Sequence, residues 1–281
     1  MKKYLKSLLT GISATLIIIL VMLKITMDFQ ILLFLGAAIF FAAGFINSKS
    51  KNHFLLTTFF IAVFYNAFFI IMVLEQLPVL WYFVPIFIIS TLFGVLYQNY
   101  KQKIIISSVV LSSVMLFLAL QVMPGNLTDL LTKERFDKLP KFELQNVNGN
   151  VITSESLKGK VVILDFFGTW CKPCILELKE LDEIKKVFKD DNVEFIIINA
   201  DQGNDSPEKF DAFIKKNKNY TFNFAYDHGS TFFKQLKMAH LGLPTLLVVD
   251  KDQNIRLQHV GYNPAETNFK KHLIETINSL K

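Results

Sequence analysis

The chain has 281 residues, of which 52% are apolar, 14% aromatic and 19% charged, and its mean hydropathy is +0.37. This apolar content excludes a disordered chain, and a total of two cysteines excludes a small fold held by many disulfides. The formal net charge of +6 lies entirely in residues 1–127, whereas residues 128–281 are neutral with dispersed bases, so we expect no nucleic-acid partner.

Five apolar runs separated by short polar breaks fill the N-terminal part of the chain. A helix needs about 20 apolar residues to cross the hydrocarbon core of a bilayer, and about 17 at the least. The run lengths therefore predict an α-helical transmembrane bundle of about five spans over residues 1–127, embedded in a lipid bilayer. The runs cover residues 5–27, 29–46, 54–74, 78–97 and 104–123.

The placement of lysines predicts how these runs are oriented. Cytoplasmic loops of membrane proteins collect Lys and Arg, so the side with more lysines is expected to be the cytoplasmic one. This puts the N-terminus in the cytoplasm, and five crossings put the chain after about residue 124 outside it. A cleaved signal peptide in the first run is an alternative that leaves the C-terminal half on the same side. Seven lysines lie on one side (Lys2, Lys3, Lys6, Lys49, Lys51, Lys101 and Lys103) and only Lys24 on the other.

The apolar runs contain few groups that could carry chemistry. They hold no Cys and no His, so this half cannot pass electrons by thiol exchange, and we interpret it as an anchor or docking platform. Asn66 is expected to donate a hydrogen bond between helices, and the small residues at 36–44 are expected to let helices approach closely.

Strand and helix patterns alternate over residues 142–281, after a polar connector at 128–141. Continuous apolar runs at 161–167 and 194–199 predict buried strands, and apolar residues three or four apart at 172–189 predict a helix. The alternation predicts an α/β domain with a mixed, partly parallel sheet covered on both faces. Further strands are expected at 142–147, 151–153, 222–226, 245–250 and 254–260, and further helices at 207–216, 230–238 and 265–280.

Both cysteines lie where the strand at 161–167 leads into the next helix. A cysteine at a helix N-terminus faces unpaired amide groups and the positive end of the helix dipole, which stabilise its thiolate. Lys172 adds a nearby cation, and Pro173 suits the first turn because no N–H is needed there. We predict that Cys171 attacks a partner disulfide and that Cys174 resolves the mixed disulfide.

Two other roles for the cysteines are weaker. They supply half of a tetrahedral zinc site, which would have to be completed by histidines although the chain has no second CxxC and no paired His motif. An inert structural disulfide would close a very small loop and would restrain little of the unfolded chain. The histidines available to a zinc site are His228, His240, His259 and His272.

The segment Phe-Phe-Gly-Thr-Trp-Cys-Lys-Pro-Cys at 166–174 resembles the active site of the thioredoxin superfamily. Within it, the segment is most similar to the membrane-tethered TlpA/ResA-like thiol–disulfide oxidoreductases of bacteria. The resemblance covers about residues 140–281, with Gly-Leu-Pro-Thr at 242–245 and extra elements at about 201–238. It implies a thioredoxin fold outside the bacterial cytoplasmic membrane, protein thiols or disulfides as substrates, and no cofactor beyond the redox-active Cys171–Cys174 disulfide.

The resemblance also implies roles for individual residues. Pro244 is expected to be cis and to pack against the disulfide, and Leu243 is expected to pair through its backbone with bound substrate. Asp165 matches the buried acid of thioredoxin that helps Cys174 to ionise, and Glu177 matches an active-site glutamate of ResA-like proteins. The expected substrate contacts are Trp170, Lys172, Pro173, Leu243, Pro244 and Thr245.

Each of the two acids has a simpler interpretation. A carboxylate within an apolar run should have a raised pKa, which suits a general base, but Asp165 could instead be hydrogen-bonded at a strand end. Glu177 could be an ordinary exposed residue near the positive end of the helix dipole.

These patterns predict an extracytoplasmic thiol–disulfide oxidoreductase, acting as a reductant of protein disulfides. The resemblance implies apocytochrome c or another cell-envelope thiol protein as substrate. Electrons would arrive from a separate membrane thiol carrier, because the apolar runs contain no Cys. An oxidant that introduces disulfides and a non-enzymatic, redox-responsive binding module are the alternatives.

Overall fold

The computed structural model describes residues 4–49, 52–188, 192–200 and 205–281. The chain forms two compact units, Met1–Leu130 and Leu131–Lys281, and each is considered by itself. Some of the predictions lie outside the described residues, namely those on Lys2, Lys3 and Lys51, the C-terminal end of the helix at 172–189, and residues 201–204 of the extra elements.

The N-terminal unit consists of helices. Three helical segments are long and apolar enough to cross a membrane, judged by length and composition: Leu5–Lys24, Phe29–Ile46 and the stretch Pro78–Leu131. The helices are α1 (Leu5–Lys24), α2 (Phe29–Ile46), α3 (Phe54–Phe69) with a π-helical continuation (Ile70–Leu74), a 3-10 turn (Pro78–Leu80), α4 (Phe83–Phe117) with a π-helical continuation (Leu118–Val122), and α5 (Met123–Leu131).

The chain reverses its direction within α4. Tyr100 has non-helical dihedral angles there (φ −136°, ψ 34°). Ser90 before it and Ser112 after it line one cavity, although a straight helix would hold them about 33 Å apart. The two halves of α4 therefore lie side by side, and they correspond to the fourth and fifth apolar runs.

Small residues bring α2 close to α4. A Cβ atom on Gly94 would overlap the Phe41 carbonyl, and one on Gly44 would overlap the Thr91 carbonyl. Only glycine allows backbones to approach this closely, which is the role predicted for the small residues at 36–44.

Asn66 and Thr91 are buried polar residues of this unit that form hydrogen bonds within their own helices, whereas the Ser7 hydroxyl donates to the side chain of Asn47 at the end of α2. The amide Nδ2 of Asn66 donates to the Ala62 carbonyl at 2.9 Å, and the Thr91 hydroxyl donates to the Phe87 carbonyl at 2.7 Å. The prediction that Asn66 donates between helices is therefore wrong. In apolar surroundings its donor bonds to the carbonyl one turn back, which is the nearest acceptor.

The C-terminal unit is built on an eight-stranded sheet with the strand order β1-β8-β7-β4-β5-β6-β2-β3. The central pairs β4–β5 and β5–β6 are parallel and the other pairs are antiparallel. This is the mixed, partly parallel sheet that the sequence predicts. The strands are β1 (Thr132–Glu134), β2 (Glu143–Asn146), β3 (Val151–Thr153), β4 (Val161–Phe167), β5 (Val193–Ala200), β6 (Asn223–Asp227), β7 (Thr245–Val249) and β8 (Ile255–Val260).

Helices cover both faces of this sheet, as the buried central strands require. On one face, Ile163 of β4 shares an apolar cluster with Leu178 and Leu273. On the other face, Leu164 shares a cluster with Phe233. The helices are α6 (Lys172–Lys185), α7 (Pro207–Lys216), α8 (Thr231–Gln235) and α9 (Phe269–Leu280).

The segment predicted as a connector, 128–141, is partly regular structure. Helix α5 extends to Leu131, and β1 then adds an edge strand by pairing Thr132 with His259 of β8. The sequence Thr-Lys-Glu of β1 has no strand pattern of its own. It forms a strand because β8 offers it free backbone groups, and such tertiary pairing is not visible locally.

Candidate active site

The strand β4 ends directly before the loop that places Cys171 at the tip of α6. Cys171 is the N-cap residue of α6, with extended backbone angles (φ −82°, ψ 102°), and its Sγ accepts the backbone N–H of Cys174 at 3.3 Å. Pro173 lies in the first turn, where its missing N–H costs nothing. The predicted position of Cys171 at a helix N-terminus is confirmed.

Cys171 and Cys174 form a disulfide and are the only cysteines of the chain. Their exposed fractions are 4% and 0%, and both belong to the apolar cluster between the sheet and α6. Among the described residues, no three His, Cys, Asp or Glu side chains are grouped so that they could hold a metal ion.

The loop before β7 carries the predicted cis-proline. The Leu243–Pro244 peptide bond is cis, as the resemblance implies. Leu243 packs against the cluster that contains both cysteines, and the buried Thr245 hydroxyl donates to the Gly242 carbonyl at 2.7 Å. On the other side of the disulfide in sequence, Trp170 is 50% exposed, so a large aromatic surface beside Cys171 is open to a partner.

Asp165 lies in the middle of β4 and is fully buried. It stands between Ile197 of β5 and Leu246 of β7, and side-chain alternation points it to the same face as Ile163 and Phe167, where the cysteine cluster lies. Neither carboxylate oxygen has a hydrogen-bond partner in the described part of the chain, so it is not a hydrogen-bonded strand-end aspartate. Burial raises the pKa of Asp165 to about 8.

Glu177 lies one turn after Cys174 on α6 and is also fully buried. This burial excludes the interpretation of an ordinary exposed helix residue. Burial raises the pKa of Glu177 well above its usual range, and the neighbouring carboxylates of Asp165 and Glu266 raise it further. Both acids thus lie on the disulfide side of the sheet with their neutral forms favoured.

Two further buried groups belong to this environment and were not predicted. His259 of β8 holds its Nε2 atom 3.0 and 3.1 Å from the two carboxylate oxygens of Glu266. Its Nδ1 atom lies 4.0 Å from an oxygen of Glu177. The sequence offers His259 only as a candidate zinc ligand. Its proximity to Glu177 arises from the pairing of distant strands, which leaves no local pattern.

Asp205, which is half-buried and was also not predicted, holds the loop before Cys171. One of its oxygens accepts the Thr169 backbone N–H at 2.8 Å and the Asn199 side-chain amide at 2.8 Å. Its other oxygen accepts the Thr169 hydroxyl. Asp205 therefore ties the residues next to Trp170 to the end of β5. An acid just before the N-cap Ser206 gives no local signal for this role.

These features together define a thioredoxin-type redox domain, and comparisons with known proteins agree with it. Residues 135–273 match the family model described as Redoxin. The thiol-disulfide oxidoreductase ResA of Bacillus cereus (strain ZK / E33L) is 32% identical over 127 residues, which is 45% of this chain and 70% of the relative. ResA of Geobacillus thermodenitrificans (strain NG80-2) is 24% identical over 173 residues, 62% of this chain and 95% of the relative. The chain thus belongs to the thioredoxin superfamily, among the TlpA/ResA-like thiol–disulfide oxidoreductases.

The crystal structure of StoA from Bacillus subtilis aligns with a TM-score of 0.40 and 25% identity, covering 47% of this chain and 96% of that chain.

The raised pKa of Asp165 predicts a pH-dependent stability. Between its ordinary value of 3.8 and about 8, the folded protein keeps a proton that the unfolded chain has lost, so the stability contributed by this group falls as pH rises through that range. Asp165→Asn carries no such proton. We expect its melting temperature to exceed that of the wild type by a margin that grows between about pH 4 and about pH 8.

The measurement is thermal unfolding of the oxidised full chain in detergent at several pH values. Asp211→Asn, which removes an exposed acid from α7, is the matched control and should change little at any pH. A stabilisation by Asp165→Asn that is the same at every pH would contradict the prediction.

Proposed function

We propose that this protein reduces protein disulfides on the outer side of a bacterial cytoplasmic membrane. The observation that carries the proposal is the Cys171–Cys174 disulfide at the N-terminus of α6, where the Cys171 sulfur accepts a backbone N–H. That environment favours the thiolate form of Cys171 after reduction. Membership of the ResA-like family supports a thiol–disulfide exchange reaction. Apocytochrome c, or another cell-envelope thiol protein, is the substrate that we propose.

The two cysteines supply both electrons of the proposed reaction. The Cys171 thiolate attacks one sulfur of the substrate disulfide, and the other substrate sulfur leaves as a thiolate and takes up a proton. Cys174 then gives its proton to a buried carboxylate and attacks Cys171, which releases the second substrate sulfur and forms the Cys171–Cys174 disulfide. The substrate gains two electrons from the two cysteines, and its two released thiolates take up protons from the solvent. The proton of Cys174 passes through the carboxylate to the solvent, so the proposed reaction involves no further cofactor.

Side chains around the disulfide have proposed roles in this reaction. Asp165 and Glu177, both buried on the disulfide side of the sheet, are proposed to accept the proton of Cys174. The exposed Trp170, together with Lys172 and Pro173, is proposed to contact the substrate on one side of the disulfide. The cis-proline loop Leu243-Pro244-Thr245 is proposed to contact it on the other side, with the Leu243 backbone pairing with an extended substrate segment.

We further propose that the N-terminal unit crosses the membrane five times, with the N-terminus in the cytoplasm. The reversal at Tyr100 supports counting α4 as two crossings. Lys101 and Lys103 follow that reversal directly, as expected for a cytoplasmic loop. A separate membrane thiol carrier is proposed to reduce the Cys171–Cys174 disulfide after each turnover, because the helices of this unit hold no Cys.

Trapping the mixed disulfide tests the reaction directly. In Cys174→Ala the resolving thiol is absent, so substrates should remain bound to Cys171 as adducts that a reductant releases. In Cys171→Ser, insulin reduction should fall to the level without enzyme. The double variant Cys171→Ser with Cys174→Ala is the matched control and should form no adducts. Insulin reduction that survives in Cys171→Ser would overturn the proposal and favour a binding module.

The reduction potential separates a reductant from an oxidant. A thioredoxin-type reductant has a potential of about −270 mV, and the strong oxidant DsbA about −120 mV because its reduced form is stabilised. Cys174 is fully buried in an apolar cluster beside two acids, an environment that stabilises a thiolate poorly. We therefore expect a value close to the thioredoxin one, measured by equilibration with a defined thiol buffer. A value near the DsbA one would favour the oxidant.

Single-cysteine labelling tests the topology. Both native cysteines are replaced by Ser, and a cysteine is then introduced by Asp252→Cys, in the exposed β7–β8 turn, or by Lys101→Cys, beside the reversal in α4. In cells with a permeable outer surface, a membrane-impermeant thiol reagent should label the first variant, and the second only after the membrane is disrupted. Labelling of the Lys101→Cys variant in intact membranes would refute the proposed orientation.

A further inference from the structure

Behind the disulfide, three carboxylates and one imidazole are enclosed in the same apolar region. Asp165, Glu177, Glu266 and His259 come from β4, α6, the segment before α9 and β8, and none of them is more than 3% exposed. The Phe269 ring lies against His259 with centroids 4.8 Å apart, so α9 closes this region on one side. Water has little access to these four groups, so their charges act strongly on one another.

The strand register explains why these groups meet. Leu246 of β7 is paired with Asp165 on one side and with His259 on the other. Asp165 and His259 therefore occupy corresponding positions on strands that flank β7, beneath α6. The described charged groups that act on Glu177 are Asp165, Glu266 and His259, each from a different element.

The two nitrogens of His259 differ in their contacts. Its Nε2 atom bonds to Glu266, at 3.0 and 3.1 Å from the two oxygens, and this contact fixes the orientation of the ring. Its Nδ1 atom has no hydrogen-bond partner within the described ranges and lies 4.0 Å from Glu177. Both oxygens of Glu177 also lack a described partner. A small movement would let the imidazole donate to Glu177.

We propose that His259, held in place by Glu266, is a positioning residue that controls the proton-accepting carboxylate of Glu177 and thereby the reaction of Cys174. This inference rests on the proposed function, and it concerns the second half of the exchange. Cys174 loses its proton to Glu177, the Cys174–Cys171 bond forms, and the bond from Cys171 to the substrate breaks with its electron pair leaving on the substrate sulfur. A hydrogen bond donated by the Nδ1 atom of His259 stabilises the ionised Glu177 that this step needs, in a place where burial and two other acids oppose ionisation.

The test follows the two exchange steps separately in the full chain in detergent. The reduced protein reacts with an aromatic disulfide reagent whose released thiolate absorbs visible light. A first phase reports the attack by Cys171, and a second phase reports the attack by Cys174. In His259→Gln the second phase should slow about tenfold at neutral pH and its pH midpoint should move upward, because a tenfold change corresponds to one pH unit. The first phase should be unchanged.

Controls distinguish this role from a structural one. His272→Gln, on α9 and outside the cluster, should leave both phases unchanged. If His259→Gln does not fold, His259→Asn is used instead, because it replaces the imidazole by a shorter amide. It should raise the pH midpoint of the second phase in the same way. In a Glu177→Gln background, His259→Gln should have no further effect on the midpoint, because His259 acts through Glu177.

The outcomes separate the two proposals. Absence of the first phase in the wild type would overturn the proposed function itself. A normal first phase, with a second-phase midpoint that His259→Gln does not move, would overturn only the role of His259. A displacement that persists in the Glu177→Gln background would also overturn it, because His259 would then act by another route.

Discussion

The contact between the Cys171 sulfur and the open end of α6 is the constraint on which the redox unit depends. Helix α6 begins at Lys172, and the Cys174 backbone N–H donates to the Cys171 sulfur, so this sulfur lies where a negative charge is stabilised by the helix terminus. Around this contact, β4 ends at Phe167, Asp205 accepts the Thr169 backbone N–H, and the cis-proline loop leads into β7.

The second sulfur, that of Cys174, lies in surroundings that stabilise a negative charge poorly. Cys174 is enclosed by the apolar cluster, with Asp165 and Glu177 also fully buried on that side of the sheet. Such a site opposes a second negative charge, so electron transfer through Cys174 must be accompanied by proton transfer. This difference between the surroundings of the two sulfurs agrees with the proposed order of the exchange, with attack at Cys171 and release by Cys174.

Local patterns were sufficient to predict the parts of the site that lie within a few residues of each other. The strand, the turn and the helix around Cys171 carry their own signals, and burial of Asp165 follows from the apolar run that contains it. The pair His259 and Glu266 could not be predicted, because it joins the site through the register of β7 with β8 and the position of α9. Strand β1 could not be predicted for a similar reason, because it forms by pairing with the distant β8. The bond of Asn66 is local, and the prediction failed there because the carbonyl one turn back competes with any acceptor on another helix.

The number of electrons that the two cysteines can carry limits what the C-terminal unit can do without a donor. Cys171 and Cys174 are its only thiols, so one reduced molecule can reduce one disulfide before it must itself be reduced. The helices of the N-terminal unit contain no Cys, and thiol exchange requires direct contact between sulfur atoms. The proposed electron donor therefore has to reach the same sulfur as the proposed substrate. The exposed Trp170 beside a nearly buried Cys171 is then available to both proposed partners in turn, which favours a broad apolar contact over a pocket shaped for one of them.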